Sequence, residues 1–436
     1  MFQPIDEKTV GAVLDELDIH DFNKASIRQV QAISRRLEQL SGTEFIRFEM
    51  GIPGLDPAAI GIEAEHKALD KGVASKYPDM DGIPELKSEA SRFIKAFINT
   101  DVSPAGCIPT VGSMQGAFAS FVLTVQLTPG KDKILFLDPG FSVQKLQLKV
   151  LGYESISFDI YSYRDDKLHD KLEEYLSRGD IAGILYSNPN NPAWICLTDK
   201  ELRIIGELAT EHDAVVIEDL AYLAMDFRRD AGKPFEPPYQ PSVSHYTDNY
   251  IMLISASKIF SYAGQRIAVL AMSDKLFNRQ YPALRSRYGV GKAGNTMIQI
   301  ILYAMTSGTS HTVQYALAEM FRAASDGRFD FIREVSEYGR RTKRLKEIFL
   351  KNGFNIVYDK DLDEPIGDGF FFTIGYKGTD GAELLQLLLP YGITAIALST
   401  TGSLQPGMRI CASTVQPHHY DMLDERLAMF NRNQNN

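Results

Sequence analysis

The segment 255–266 reads SASKIFSYAGQR and follows the apolar run NYIMLI. A lysine in a serine-rich turn is ordinarily a solvated surface charge. It becomes a nucleophile or a proton carrier only when its amine is partly deprotonated, which burial and a neighbouring cation both favour. Lys258 has Arg266 close behind it and Ser255 and Ser257 just before it. That grouping offers an amine, hydroxyls and a guanidinium able to grip a phosphate with two parallel hydrogen bonds. Other unusual residues follow apolar runs in the same way. Gly112-Ser113-Met114 opens a helical pattern, whose free N–H groups suit an anion, although an ordinary Gly-Ser cap reads the same. Phe141 follows KILFLDPG and could stack on a flat ring or simply pack. Asn191 lies in SNPNNPAW, a turn-rich stretch. Asp219 ends AVVIED, where an anion needs a partner unless it caps a helix, and Tyr222 follows it with a hydroxyl to donate.

These residues require a scaffold that brings strand ends together. From residue 105 onward, the runs CIPTV, KILFL, AGILYS, AVVIED and IMLISA alternate with helical segments. Such alternation predicts an α/β fold with a parallel sheet and crossover helices. Ligands of open parallel sheets sit outside the carboxyl ends of the strands, so the candidate residues are expected to converge on one crevice. Residues 1–40 read as helical, FEMGIPGLDP (48–57) as an extended connection, and 307–354 as nearly continuous helix. The later runs GFFFTIGYK, GITAIAL and MRICAS predict a smaller α+β lobe packed with the N-terminal helices. A chain of 436 residues exceeds the size of a single core, so two domains, or one large domain with a lobe, are expected.

Composition narrows the chemistry further. A net charge of −10 and the absence of a concentrated basic patch argue against a nucleic-acid surface. Arg and Lys in GRRTKRLKEIFLK (339–351) alternate with apolar residues at helical spacing, which reads as a solvated helix face. Cys107, Cys196 and Cys411 are too widely spaced for a disulfide framework or a CxxC metal site and read as reduced thiols. No HExxH is present, His418-His419 fall in a polar turn, and no metal is expected. GVGKAG (289–294) matches a dinucleotide-type glycine pattern but follows LRSRY rather than an apolar strand. The acidic N-terminal segment and the lack of a membrane-length apolar run predict a soluble, cytoplasmic protein.

Taken in order, SASKIFSYAGQR, the Asn-Pro of SNPNNP and Asp-x-x-Tyr at 219–222 resemble the class I/II aminotransferases, pyridoxal-phosphate enzymes of the aspartate-aminotransferase fold (fold type I). The resemblance runs from MGIPGLDP to MRICAST. It implies that Lys258 forms a Schiff base with pyridoxal 5'-phosphate and then shuttles a proton. It further implies that Asp219 holds the ring nitrogen protonated, that Asn191 and Tyr222 bond the phenolic oxygen, and that Phe141 stacks on the ring. Gly112, Ser113, Met114, Ser255, Ser257 and Arg266 would surround the phosphate. Arg409 would clamp the substrate carboxylate, with Gly51 and Asn191 beside it. Tyr77, in SKYPDMDG, resembles a tyrosine that reaches the neighbouring subunit's phosphate, which implies a homodimer with shared sites.

On this resemblance, residues 1–50 form the N-terminal part of a small domain and 51–308 a large cofactor-binding domain. Residues 309–436 supply a long connecting helix and the rest of the small domain. The implied function is transfer of an amino group from an L-amino acid to a 2-oxo acid, with no nucleic-acid or membrane partner. The enzymatic alternative is a carbon–sulfur β-lyase or a related lyase or decarboxylase on the same fold, and a non-catalytic regulator is a further one. Three features depart from common family patterns: Ala193-Trp194 after Asn191-Pro192, Phe at 141, and the turn before Gly402. Arg47, Arg285 and Arg287 are the candidates for recognising a second substrate carboxylate.

Overall fold

Alternation of apolar side chains along each strand decides the layering. The computed structural model describes residues 3–435. Its first eight strands are β1 (Ile46–Arg47), β2 (Cys107–Thr110), β3 (Lys133–Asp138), β4 (Ser155–Asp159), β5 (Ile181–Ser187), β6 (Val215–Asp219), β7 (Tyr250–Ser255) and β8 (Ala268–Met272). Seven of them form the central sheet in the order β2-β8-β7-β6-β5-β3-β4. Leu135, Leu137, Ile184, Val216 and Ile254 enter the core on one face. Their neighbours Ile134, Phe136, Leu185, Ile217 and Leu253 enter the core on the other. A sheet buried on both faces needs these continuous apolar runs, and helices cover each side.

The sheet is mostly parallel. Pairing is parallel from β4 through β3, β5 and β6 to β7. β8 runs antiparallel to both β7 and β2, an exception to the expected parallel pattern. Only the lysine turn joins β7 to β8, and without a longer crossover the chain has to reverse. The sequence pattern does not announce β4 or β8. SISFD mixes polar and apolar residues, and AVLAM follows too closely on the lysine turn to stand out.

The remaining strands build a second sheet around another core. Ile396–Ala397, Met408–Cys411, Phe371–Gly375 and Asn355–Ile356 form an antiparallel four-stranded sheet in that order. Val13, Ile33 and Leu37 of the N-terminal helices share its core with Phe372, Ile410 and Leu427. β1 pairs in parallel with Ile393–Thr394. Just beyond it, the Phe48 N–H donates to Thr394 O at 2.8 Å and Phe48 O accepts the Cys411 N–H at 3.1 Å. These bonds fix the entry of Met50-Gly51-Ile52 into the space between the two sheets.

Two helical expectations need correction. The N-terminal helical region is divided into Glu7–Glu16 and Ile27–Ser41, with Ser26 and Gln29 forming a capping box at the second start. The expected long connecting helix is three helices, His311–Ser325, Phe331–Val335 and Glu337–Lys351. Gly327 takes φ +70 at the first break, and the Asp330 carboxylate accepts the Arg333 N–H to start the next helix.

Candidate active site

Asp219 is the last residue of β6, registered between Ser187 of β5 and Leu253 of β7. Its Oδ2 accepts a hydrogen bond from Gln144 Nε2 at 2.9 Å and its Oδ1 one from the Ala221 N–H at 3.2 Å. Burial raises its pKa to about 6, while these two donors hold it lower than burial alone would. Among the described residues no basic side chain pairs with it, so a buried carboxylate faces the crevice in need of a cation.

Lys258 follows β7 in the short helix Ala256–Ile259, and its Nζ donates to the backbone oxygen of Gly51. Burial pushes its pKa down to about 8, and the positive charges of Arg409 and Arg266 act in the same direction. Cys411 would oppose them only as a thiolate, and burial raises the pKa of that thiol. Gly51 packs closely on Phe371, since a Cβ there would lie 3.1 Å from the ring.

Arg409 projects from the second sheet, where it lies opposite Thr373 and Ile396. It is only 3% exposed, and Phe371 lies under its guanidinium at 4.7 Å. Nη1 donates to Asn191 Oδ1 at 3.4 Å, Nη2 donates to Glu49 O, and the buried Nε has no partner among the described residues. A buried guanidinium with an unspent N–H is suited to a carboxylate. Asn191 is held from below by its own N–H on Ser187 Oγ at 3.1 Å. The Tyr222 hydroxyl has no hydrogen-bond partner among the described residues, and its ring sits edge-on to Trp194 and Phe371. Trp194 is fully buried beneath the site and fills the space left by Gly369, where a Cβ would come within 1.8 Å of the indole.

The opposite end of the crevice suits an anion. Gly112 starts the helix Gly112–Thr124 with φ +68, and a Cβ on it would sit 2.4 Å from Arg266 Nη2. The close approach lays the guanidinium across the helix N-terminus, where backbone N–H groups are free. Ser255 Oγ accepts the Ser257 N–H at 3.2 Å. The hydroxyls of Ser113 and Ser257 have no partner among the described residues and line the crevice together with Met114. Phe141, at the start of the helix Ser142–Leu151, forms one wall.

Asp219, Lys258, Asn191, Tyr222, Arg409 and Arg266 border one cavity of about 410 Å³, which Gly112 approaches through Arg266. Tyr77 is 91% exposed and lies outside this cavity. Gln144, Ile27, Met50, Ile52 and Phe371 also line it and were not among the sequence candidates. For Gln144 a signal existed, since it lies one helical turn after Phe141. Met50 and Ile52 flank the candidate Gly51, whereas Ile27 and Phe371 come from distant segments whose meeting no local pattern announces. Arg47 is paired with Glu38, and Arg285 and Arg287 are exposed on the helix Pro282–Tyr288, so this chain's cavity contains none of the three. GVGKAG spans the link after the helix Pro282–Tyr288 and the first two residues of the helix Ala293–Thr296. His418 and His419 both approach Glu44 Oε1 at 3.1 Å. Because His419 Nδ1 accepts the Gln416 N–H, its Nε2 carries the proton and donates to that carboxylate.

The sequence profile of the aminotransferase class I and II family matches residues 43–427. The chain belongs to that family. A probable aspartate aminotransferase of Methanocaldococcus jannaschii is 24% identical over 81% of this chain and 85% of its own length. An aromatic-amino-acid aminotransferase of Thermococcus litoralis is 25% identical over 78% of this chain and 79% of its own. The solved aspartate aminotransferase from Thermotoga maritima superposes with a TM-score of 0.75 at 20% identity, covering 96% of this chain and 99% of that one. That likeness shows the type I fold. The protein is thus an aminotransferase, an enzyme that transfers amino groups, and its family depends on pyridoxal phosphate. The aminotransferase cavity fits that cofactor on its own observations: an unpaired buried carboxylate, a buried amine of lowered pKa, and free hydroxyls beside a helix N-terminus crossed by an arginine. Among the described residues, no helix is long and apolar enough to cross a membrane.

Proposed function

We propose that pyridoxal phosphate binds in this cavity through Lys258 and that the amino donor's carboxylate binds Arg409. The observation that carries the reading is the meeting of Lys258, Asp219, Asn191 and Arg409, from four separate segments, around one cavity. Asp219 would hold a positive charge on the ring nitrogen, and Gln144 would hold Asp219. Asn191 and Tyr222 would bond the phenolic oxygen, with Phe141 against the ring face. Ser113, Ser255, Ser257, Arg266 and the backbone N–H groups at Gly112 and Met114 would hold the phosphate. Bound there, the cofactor supplies an electron sink for the pair released at the donor's Cα.

The chain's own groups do the rest. Arg409, with Asn191 alongside, fixes the donor's carboxylate and so aims the Cα–H bond. Lys258 Nζ, with its lowered pKa, takes the Cα proton and delivers it on. Met50, Gly51 and Ile52 cover this region, and the Gly51 oxygen holds the lysine amine in place.

The remaining parts of the reading are proposed on the same basis. Residues 51–308 constitute the large domain, and 1–50 with 309–436 the small one, supported by the shared core of the N-terminal helices and the second sheet. Tyr77, exposed on its own chain, is proposed to reach a partner's phosphate site in a homodimer. Three free cysteines support a reducing, cytoplasmic setting. The test is the absorbance of the purified protein with pyridoxal phosphate, before and after single L-amino acids are added. The reading requires that one of them shift the cofactor band and release its 2-oxo acid, and that Lys258→Ala abolish both effects without loss of fold. Turnover retained by that variant would end it.

A further inference from the structure

Two successive aromatic residues in GFFFTIGYK lie under two of the cations that line the cavity. Arg409 sits over the Phe371 ring at 4.7 Å, and Lys258 Nζ sits over the Phe370 ring at 5.1 Å. Phe371 opens the strand Phe371–Gly375 and Phe370 precedes it, so strand alternation does not send the two rings to opposite faces. The Phe370 ring is held on three sides, edge-on by Tyr338 at 4.8 Å and Phe371 at 5.0 Å, and tilted against Tyr222 at 5.5 Å. Tyr338 is itself tied to the segment that covers the site, since its hydroxyl accepts the Gly54 N–H at 3.1 Å. Phe370 is fully buried within one chain, so a second subunit does not reach this contact.

The Lys258 amine is thus gripped by the Gly51 oxygen and by the face of the Phe370 ring. A ring face carries partial negative charge, which attracts an ammonium and gives a neutral amine nothing comparable. The other groups around the lysine do not supply that attraction. Arg266 on its own turn and Arg409 on the strand Met408–Cys411 repel an ammonium. Burial keeps Cys411 and Tyr222 protonated and neutral, and Asp219 at the end of β6 is engaged by Gln144 and the Ala221 N–H. We propose that Phe370 is a positioning residue for the proton transfer, its ring holding Lys258 beside the Gly51 oxygen once the amine has taken the Cα proton. The proposal rests on the role given to Lys258 above and adds a second residue to it. Burial and the two arginines weaken the lysine as a base, and the ring restores part of that strength where the proton is carried.

The experiment mixes the full-length chain, freed of cofactor and checked for fold by circular dichroism, with pyridoxal phosphate across a range of pH. The rate at which the cofactor band appears, corrected with a small free amine, gives the midpoint at which Lys258 loses its proton. In Phe370→Leu the ring's attraction is lost while the amine stays buried, so the midpoint is expected to fall by about half a unit or more from its natural value of about 8. A merely structural role has the opposite sign, since a loosened site admits water and returns the midpoint toward 10.5. Should the leucine variant fail to fold or open to water, phenylalanine carrying one, two or three fluorines at position 370 decides. Fluorine draws charge from the ring face with little change of shape, and the midpoint is expected to fall stepwise along that series. A midpoint that stays or rises along it overturns the proposal while leaving the role of Lys258 intact. If the natural chain forms no cofactor band, the underlying reading fails as well.

Discussion

The lowered pKa of Lys258 makes a quantitative claim about reactivity. With a pKa of about 8, about one lysine in ten is neutral at pH 7, whereas at the ordinary 10.5 the fraction is about one in three thousand. The structure thus gives the site an advantage of about 300-fold in free amine at neutral pH. The sign follows from burial, which penalises the charged form, so the protonated state is lost at lower pH than in water. Apoprotein would be mixed rapidly with pyridoxal phosphate across the range pH 6 to 10.5, and the appearance of the cofactor band followed. A small free amine treated identically corrects for the cofactor's own ionisation. The corrected rate is expected to climb up to about pH 8 and then level off. Arg409→Gln removes one nearby charge but leaves the burial, the largest cause, so the midpoint should rise by less than about one unit. A rate that keeps climbing about tenfold per unit beyond pH 9.5 would refute the reasoning, because the amine would then be no easier to deprotonate than in water.

Other consequences can be checked separately. Gln144→Leu removes a donor from the Asp219 carboxylate, which should raise that pKa further above about 6 and weaken cofactor binding about tenfold or more at pH 7, measured by equilibrium dialysis. In Gly112→Ala the new methyl would press on Arg266 in a left-handed backbone; a stability loss of about 1–2 kcal/mol in urea and faster cofactor loss are expected. Gly369→Ala drives a Cβ into the indole of Trp194 and should cost about 3 kcal/mol or more. Trp194 is the chain's single tryptophan, so its fluorescence reports that unfolding directly. Arg409→Met should lower kcat/KM for every amino donor by about 100-fold or more, with the cofactor spectrum before donor addition little changed.

The sequence alone determined the local units. Continuous apolar runs made the central strands recognisable, because a sheet covered on both faces leaves no polar alternation to confuse them. The odd residues that follow those runs, Asp219, Lys258, Asn191 and Gly112, were visible because strand ends are where an α/β fold presents its chemistry. What the tertiary structure decided lies at longer range. The breaks after Glu16 and near Gly327 depend on which helix faces must turn toward a core. The apolar wall of the cavity draws Ile27, Met50 and Ile52 from one end of the chain to residues more than 200 positions away. A hydrophobic residue in a sequence signals burial without saying against what. Only the packing of the second sheet, which brings Arg409 and the Met50–Ile52 segment over the strand ends, turned those residues from core candidates into the surface a substrate would meet.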